Sequence, residues 1–506
     1  LFQNLFANLY VGKNPTPLAN SMRILKFDFS GIDTRGENKD VERAFVNSVR
    51  YYVKSFLEKY ALFNEATAKG ILANDNAGEM MLSLFSAYSQ EKTKIYVIID
   101  EYDHFTNEIL IRDLTEFKYS VSRDGYVRKF YENIKIATQQ GTVNRFFITG
   151  VSPVTLDSLT SGFNIVKHLT HRKDFHNLMG FSEAEVAQLL DLALEGKFQK
   201  ENILADMRAW YNGYKFNVEA KETVYNANMT LYFLDEYSRE HKMPAKMLDP
   251  NVMPDYGKLK SIFEMANYQE NLEVLQEVLE TGQIACEQIY QFDFSKPFRK
   301  KEFINFLYYL GNLTIKGESD FEVDTVFKIP NYVIQELYWQ YYGYLLEEKL
   351  DFKYQDDQIK ETIIKALSGD IYPFLRLAES VLKELSNRDF QRFDEKYIKM
   401  LLITFAMQGK AFYVISERET KGGGYTDLEL YRRPSATKPH HQYIFEIKYL
   451  KKEEESRFEA VKAAAVAQLK HYLTTDETVQ KAVLMHAFVV IFVKDSLYIE
   501  EVFSKT

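Results

Sequence analysis

Along the first third of the chain, apolar positions switch between the repeat of a strand and the repeat of a helix. Residues 22–29 (MRILKFDF) predict a strand, and residues 40–60 set Phe45, Val46, Val49, Tyr52, Val53 and Phe56 on one helix face. Residues 94–100 (KIYVIID) are apolar nearly throughout, as in a strand covered on both faces. Residues 130–138 predict a helix, and residues 144–149 (NRFFIT) a short buried strand ending at Gly150. Strands separated by helices imply a parallel sheet. Leu1, Leu5, Phe6 and Leu9 repeat at helical spacing and predict an amphipathic helix; because the chain opens on Leu1, its own beginning is expected upstream.

From Phe181 the pattern is helical: FSEAEVAQLLDLAL offers Ser182 as a cap with Glu185 three residues on. Asn212-Gly213 marks a turn. Residues 230–385 read as mostly helical, with 302–311, 313–315 and 325–329 suggesting a helix and a two-stranded wing, completed by a helix after Pro330. The last stretch changes character. Residues 396–407 predict a helix, 411–416, 426–431 and 443–450 three strands, 458–473 a helix, and 487–493 and 496–502 closing strands.

Length and composition narrow the class. The 506 residues allow about three domains, and 46% hydrophobic residues are enough for sizeable cores. A net charge of 63 − 72 = −9 argues against a chain coated for polyanions, yet leaves room for a local basic groove. One cysteine, Cys286, excludes an internal disulfide and a cysteine-based zinc site, and the histidines, His440-His441 included, are scattered. With no signal-peptide pattern and no run of 18 apolar residues, the expected setting is the cytoplasm, without a membrane partner.

The chemistry concentrates near the C-terminus, where TDLELY and FEIKY are joined by an interval of 18 residues between Asp427 and Glu446. Positions i and i+2 of a strand share a face, so Glu446 and Lys448 project together while Phe445 and Ile447 take the opposite, buried face. If the two strands pair, Asp427 sits beside Glu446. Two carboxylates suit Mg²⁺ or Mn²⁺, which favour oxygen ligands, and Lys448 would orient or help deprotonate the attacking water. Glu-x-Lys is also a common solvated pairing on strands; here it stands in an otherwise apolar strand, after Glu419 and the open backbone of Gly422, Gly423 and Gly424. Gln468 and Tyr472 are four apart and share a helix face. Lys451, Lys452, Lys462 and Lys470 surround this centre and could track phosphates, while Arg172, Lys173, Arg299, Lys300 and Lys301 read as solvated charge.

Glu419, the glycine turn, Asp427, Glu446-Ile447-Lys448 and Gln468-x-x-x-Tyr472 resemble the PD-(D/E)XK nuclease superfamily, the last element its RecB-like branch. The resemblance implies Asp427 and Glu446 as metal ligands, Glu395 as an additional acid on the preceding helix, and Lys448 as the catalytic lysine. It also implies that Gln468 and Tyr472 position substrate or the lysine. The family's proline is absent, since Thr426 precedes Asp427.

KIYVIIDEYD ends a hydrophobic strand in Asp100-Glu101; in P-loop NTPases an aspartate here holds Mg²⁺ and the next glutamate polarises water, with a polar residue such as Thr149 sensing the γ-phosphate. DEYD, ITGVSPVTL, GFSEAEV, WYNGYKF and VYNAN together resemble the predicted AAA-ATPase family often fused to a PD-(D/E)XK domain. A GxxxxGK[ST] loop is missing, and Gly12-Lys13-Asn14 lacks the parts to replace it. Either the loop lies upstream of Leu1 or the protein never had it, and these 506 residues are expected not to hydrolyse ATP appreciably.

The expected fold is thus α/β and multidomain. Residues 1–180 form a parallel-sheet, P-loop-NTPase-like module, 181–385 a helical middle with a winged element, and 386–506 a restriction-endonuclease-like αβββαβ domain. The expected activity is metal-dependent phosphodiester hydrolysis of nucleic acid, DNA above RNA, under control of an ATP-binding module in the complete protein, with homo-oligomers left open. The alternatives are a non-catalytic, nucleotide-regulated protein that grips nucleic acid or a partner, and a structural scaffold.

Overall fold

The structure, a computed structural model, describes residues 2–505 other than 123, 156–162, 195–199, 245, 250–254, 266, 294–296, 321–322, 351–355, 385–393, 409–410, 420–422, 435, 437–439, 477–478 and 480–481. The expected boundary at 385–386 lies outside the described residues, as does Gly422. The chain gathers into two compact units.

The first unit takes in residues 1–169, 261–271 and 286–313. Its sheet has the order β1-β2-β3, with β1 at Arg23–Asp28, β2 at Ile95–Asp100 and β3 at Val143–Ile148, all parallel, as the alternation of strands and helices implied. The helix Asn38–Lys59 packs on β1. Between them an aromatic core forms: Phe29 lies 5.2 Å from Phe45 and 5.7 Å from Phe130, which is on the helix Tyr126–Gln139. Asn76 caps the helix Ala77–Tyr88 by accepting from the amides of Gly78 and Glu79 at 2.7 and 3.1 Å.

Two expectations need correction here. The opening pattern gives two short helices, Phe2–Phe6 and Tyr10–Lys13, rather than one amphipathic helix. Leu5 and Leu9 are 62% and 54% exposed, and segments this short gain little helical stability without a covered face. β3 is also less covered than β2, with Asn144 and Arg145 exposed, because it is an outer strand of the sheet as described.

The second unit takes in residues 170–260, 272–285 and 314–506. Ser182 and Glu185 form the anticipated reciprocal cap of the helix Glu183–Leu194: the Ser182 amide donates to Glu185 at 2.8 Å and the Glu185 amide to Ser182 at 3.3 Å. The anticipated wing strands, β5 (Thr314–Glu318) and β6 (Thr325–Lys328), are antiparallel, and β4 (Gln283–Cys286) joins β6 to make three strands in the order β4-β6-β5. A helix, Tyr332–Leu350, does follow Pro330.

The C-terminal sheet has the order β11-β10-β9-β8-β7. β7 (Phe412–Glu419), β8 (Tyr425–Arg432) and β9 (Gln442–Leu450) form an antiparallel meander, and the helix Phe458–Thr475 crosses over to β10 (Met485–Val493), parallel to β9. β11 (Ser496–Lys505) closes the edge antiparallel to β10. The crossover helix lays Ala465, Leu469 and Tyr472 on Ile444, Ala487, Val489 and Ile491. Each large aliphatic side chain sealed in this way contributes roughly 1.5–3 kcal/mol. The helix Glu395–Gln408, buried along most of its length, packs on β7 and β9.

Candidate active site

β8 and β9 pair in the register Leu428↔Phe445, Glu429↔Ile444 and Leu430↔Tyr443. Continuing it by one residue sets Asp427 opposite Glu446, and the Asp427 Oδ2 accepts from the Ile447 amide at 2.7 Å. Lys448 is two residues beyond Glu446, on the same face. Its Nζ lies 2.8 Å from Glu446 Oε1 and 3.5 Å from Asp427 Oδ2. Glu395, at the start of its helix, brings Oε1 to 3.2 Å from the same ammonium. Three acids from three separate elements therefore share one cation.

Burial differs sharply within the cluster. Phe445 and Ile447 are sealed on the opposite face as expected, but Glu446 is 0% exposed too, a correction to the picture of an open pair. β9 is a central strand covered on both sides, so its polar face ends under the crossover helix rather than in solvent. Access is from the side of Glu395, Lys448 and Asp427, whose side chains are 41%, 23% and 14% exposed.

This environment sets the charges. Burial first, then the neighbouring Asp427 carboxylate, pushes the Glu446 carboxyl up to about 7. Burial likewise raises Asp427 and Glu395, with Lys448 opposing. Burial alone would lower Lys448, but Asp427 and Glu446 outweigh it, so its pKa is raised. In this arrangement Lys448 stays an ammonium at neutral pH. It screens the negative charge of the three acids.

Among the described residues no three His, Cys, Asp or Glu side chains already converge as a cation-binding group; the acids face Lys448 instead. The donor set nevertheless fits a hard divalent cation, since all three candidates are carboxylates. Beyond the Lys448 contact, neither buried oxygen of Glu446 receives a well-aligned hydrogen bond among the described residues. Orphaned buried acceptors of this kind call for a partner.

The PD-(D/E)XK nuclease superfamily matches residues 393–502, which span Glu395, Asp427, Glu446, Lys448, Gln468 and Tyr472. Residues 393–502 are a PD-(D/E)XK nuclease superfamily domain. The family described as "Predicted AAA-ATPase" matches residues 1–160, so the chain joins an AAA-ATPase-like domain to a C-terminal nuclease-superfamily domain. A curated protein of Azotobacter chroococcum mcd 1, described as "Uncharacterized protein in vnfD 5'region", is 31% identical over 140 residues, covering 28% of this chain. The match spans about a quarter (24%) of that relative's length. No solved structure matches.

In the nuclease-superfamily domain, Gln468 and Tyr472 meet as their spacing foretold, but neither is within hydrogen-bond reach of Lys448. Gln468 Nε2 donates to the Tyr472 hydroxyl at 2.6 Å, and that hydroxyl donates to the Tyr425 carbonyl at 3.0 Å. They fasten the crossover helix to β8 two residues before Asp427. Gly424 makes this approach feasible: at φ +90° a Cβ would be strained, and it would lie 3.0 Å from the Tyr472 hydroxyl. The glycine turn is thus packed at Gly424, while Gly423 keeps open space where a Cβ would be. The Glu419 backbone pairs with Tyr425 at the end of β7; its side chain lies outside the described residues.

The basic residues expected to track phosphates divide. Lys462 is held by Glu500 at 2.8 Å and lies over the Tyr498 ring, so it is not available as drawn. Arg172, Lys173 and Lys301 pair with Asp174, Glu219 and Glu287, as solvated charge does. Two basic residues near the site escaped sequence reasoning. Lys399 is 6% exposed and pairs with Glu417, and Arg418 binds Glu429 and Asp476. Arg418 stands between Glu417 and Glu419 in its strand and Lys399 is one charge on a helix, and neither pattern signals burial.

In the AAA-ATPase-like domain, Thr149 Oγ1 donates to Asp100 Oδ1 at 2.5 Å, so the end of β3 meets the end of β2. Glu101 adopts φ +51°, a strained conformation for a non-glycine residue, and burial raises its carboxyl. Asp103, which sequence reasoning did not single out, is fully buried. It accepts from the Val151 and Ser152 amides at 3.0 and 2.6 Å and from Asn107 at 2.6 Å. It ties the loop after β3 to the helix His104–Arg112.

Proposed function

We propose that the nuclease-superfamily domain hydrolyses phosphodiester bonds of nucleic acid, with DNA as substrate, at Asp427, Glu446 and Lys448, and uses Mg²⁺ or Mn²⁺. The observation that carries this reading is the Glu446 carboxylate, fully buried beside Asp427 and, beyond the Lys448 contact, without a well-aligned hydrogen bond among the described residues. Asp427, Glu446 and the half-exposed Glu395 would hold the cation. When bound, it would supply charge neutralisation at the phosphate and an activated water nucleophile. Lys448, kept charged by its acids, is suited to stabilise the negative charge that builds on the phosphorus oxygens in the transition state. Gln468 and Tyr472 hold the strand that presents Asp427.

In the complete protein the AAA-ATPase-like domain would bind ATP and govern the nuclease, with residues 181–385 as a helical connection between the two. A second reading, a retired site that only grips nucleic acid or a partner, draws on Lys448 being already neutralised by three acids. Incubating the protein with plasmid DNA, linear DNA and RNA in Mg²⁺ or Mn²⁺ separates the two. Cleavage that stops with EDTA supports the nuclease. Tight binding without cleavage under every condition favours the retired site.

A further inference from the structure

We propose that Arg418 is a positioning residue of the nuclease site, fixing the strand that carries Asp427 against the crossover helix. The proposal rests on the nuclease reading of that site.

Arg418 stands near the end of β7, opposite Thr426 on β8. Its guanidinium forks onto Glu429, with Nε and Nη2 donating to the two carboxylate oxygens at 2.7 and 2.8 Å. The remaining arm, Nη1, donates to Asp476 Oδ2 at 2.6 Å. Glu429 and Asp476 have side chains 0% and 2% exposed, so both carboxylates meet this guanidinium in a place water does not reach. Thr426 completes the joint, its hydroxyl donating to Glu429 Oε1 at 2.9 Å.

The location is what gives the cluster a role. Asp476 is the residue that ends the helix Phe458–Thr475, and its amide donates to the Tyr472 carbonyl at 3.0 Å. Glu429 follows Asp427 by two residues on the same strand face. The crossover helix is therefore fastened to β8 twice. Before Asp427 the Tyr472 hydroxyl holds the Tyr425 carbonyl, and after it Arg418 holds Glu429 and Asp476 together. Asp427 lies between the two ties, and a planar fork fixes direction as well as distance. Arg418 touches none of the reacting groups; it sets where the Asp427 carboxylate stands relative to Glu446 and Lys448.

The test uses the full chain with Arg418→Lys, which keeps the charge and loses the fork. Mn²⁺ affinity is measured by calorimetric titration, and kcat and KM are measured on DNA. The expected result is Mn²⁺ binding weakened about 10-fold or more and a comparable fall in kcat, with KM for DNA within about twofold of wild type. If Arg418→Lys does not fold, the triple variant Arg418→Met, Glu429→Gln and Asp476→Asn takes its place, since it removes the fork without stranding either buried carboxylate. A folded variant with a lower thermal midpoint but unchanged Mn²⁺ affinity and kcat overturns the proposal. Wild-type protein that neither binds Mn²⁺ nor cuts DNA overturns the nuclease reading, and the role of Arg418 with it.

Discussion

Replacing Glu446 by Gln should make the cation-free protein more stable above neutral pH while disabling the site. Its carboxyl is displaced upward from an ordinary 4.5 to about 7 by burial and by Asp427. A raised acid favours the fold in its protonated form. That contribution is complete below the unfolded value and is lost as pH climbs through about 7. The displacement corresponds to about 3 kcal/mol of destabilisation once the group is fully ionised. Gln has the shape of the protonated acid and cannot ionise, so it avoids that cost. Urea unfolding in EDTA should therefore find the two proteins alike near pH 4, below the unfolded value, and Glu446→Gln more stable by about 1–3 kcal/mol near pH 8. Mg²⁺ needs the ionised carboxylate, so its addition near pH 8 should stabilise wild type and leave Glu446→Gln almost unmoved. A variant less stable than wild type near pH 8, or an offset independent of pH, would refute the reasoning.

Three further outcomes follow from the geometry. Tyr472→Phe leaves the Tyr425 carbonyl without its side-chain donor and Gln468 without its acceptor, and should cost about 1–2 kcal/mol in urea unfolding; a change within about 0.3 kcal/mol would mean the tie is not made. Gly150→Ala would set a Cβ 2.2 Å from Asp103 Oδ1 and 2.4 Å from the Tyr102 ring. A loss of about 1–3 kcal/mol should appear as a lower thermal midpoint, and an unchanged midpoint would contradict the packing around Asp103. Because these 506 residues hold no GxxxxGK[ST], phosphate release from ATP should not exceed a protein-free blank. Turnover that Glu101→Gln abolishes would disprove this.

The legible parts of the sequence were those where local pattern and tertiary role agree. KIYVIID and YIFEIKYL announce strands because strands covered on both faces are continuously apolar, and both are central in their sheets. The acid–lysine pair on β9 was visible for the same reason, since polar residues in such a strand need an explanation. What the pattern could not carry was depth: a period of two gives the face of Glu446, while its complete burial depends on a helix that arrives only after residue 458. Arg418, Glu429 and Asp476 were illegible because their partners are separated by 11 and 58 positions. Each alone looks like ordinary surface charge. Leu1 to Leu9 misled in the other direction, since helical spacing describes a face whether or not anything covers it.

The most direct measurement compares wild type with Lys448→Ala and Asp427→Ala on end-labelled DNA in saturating Mg²⁺, with circular dichroism to verify folding. Wild type should cut, and each folded variant should lose cleavage by about 100-fold or more. Wild type without cleavage, or folded variants that cut as well as wild type, would contradict a catalytic centre at these residues.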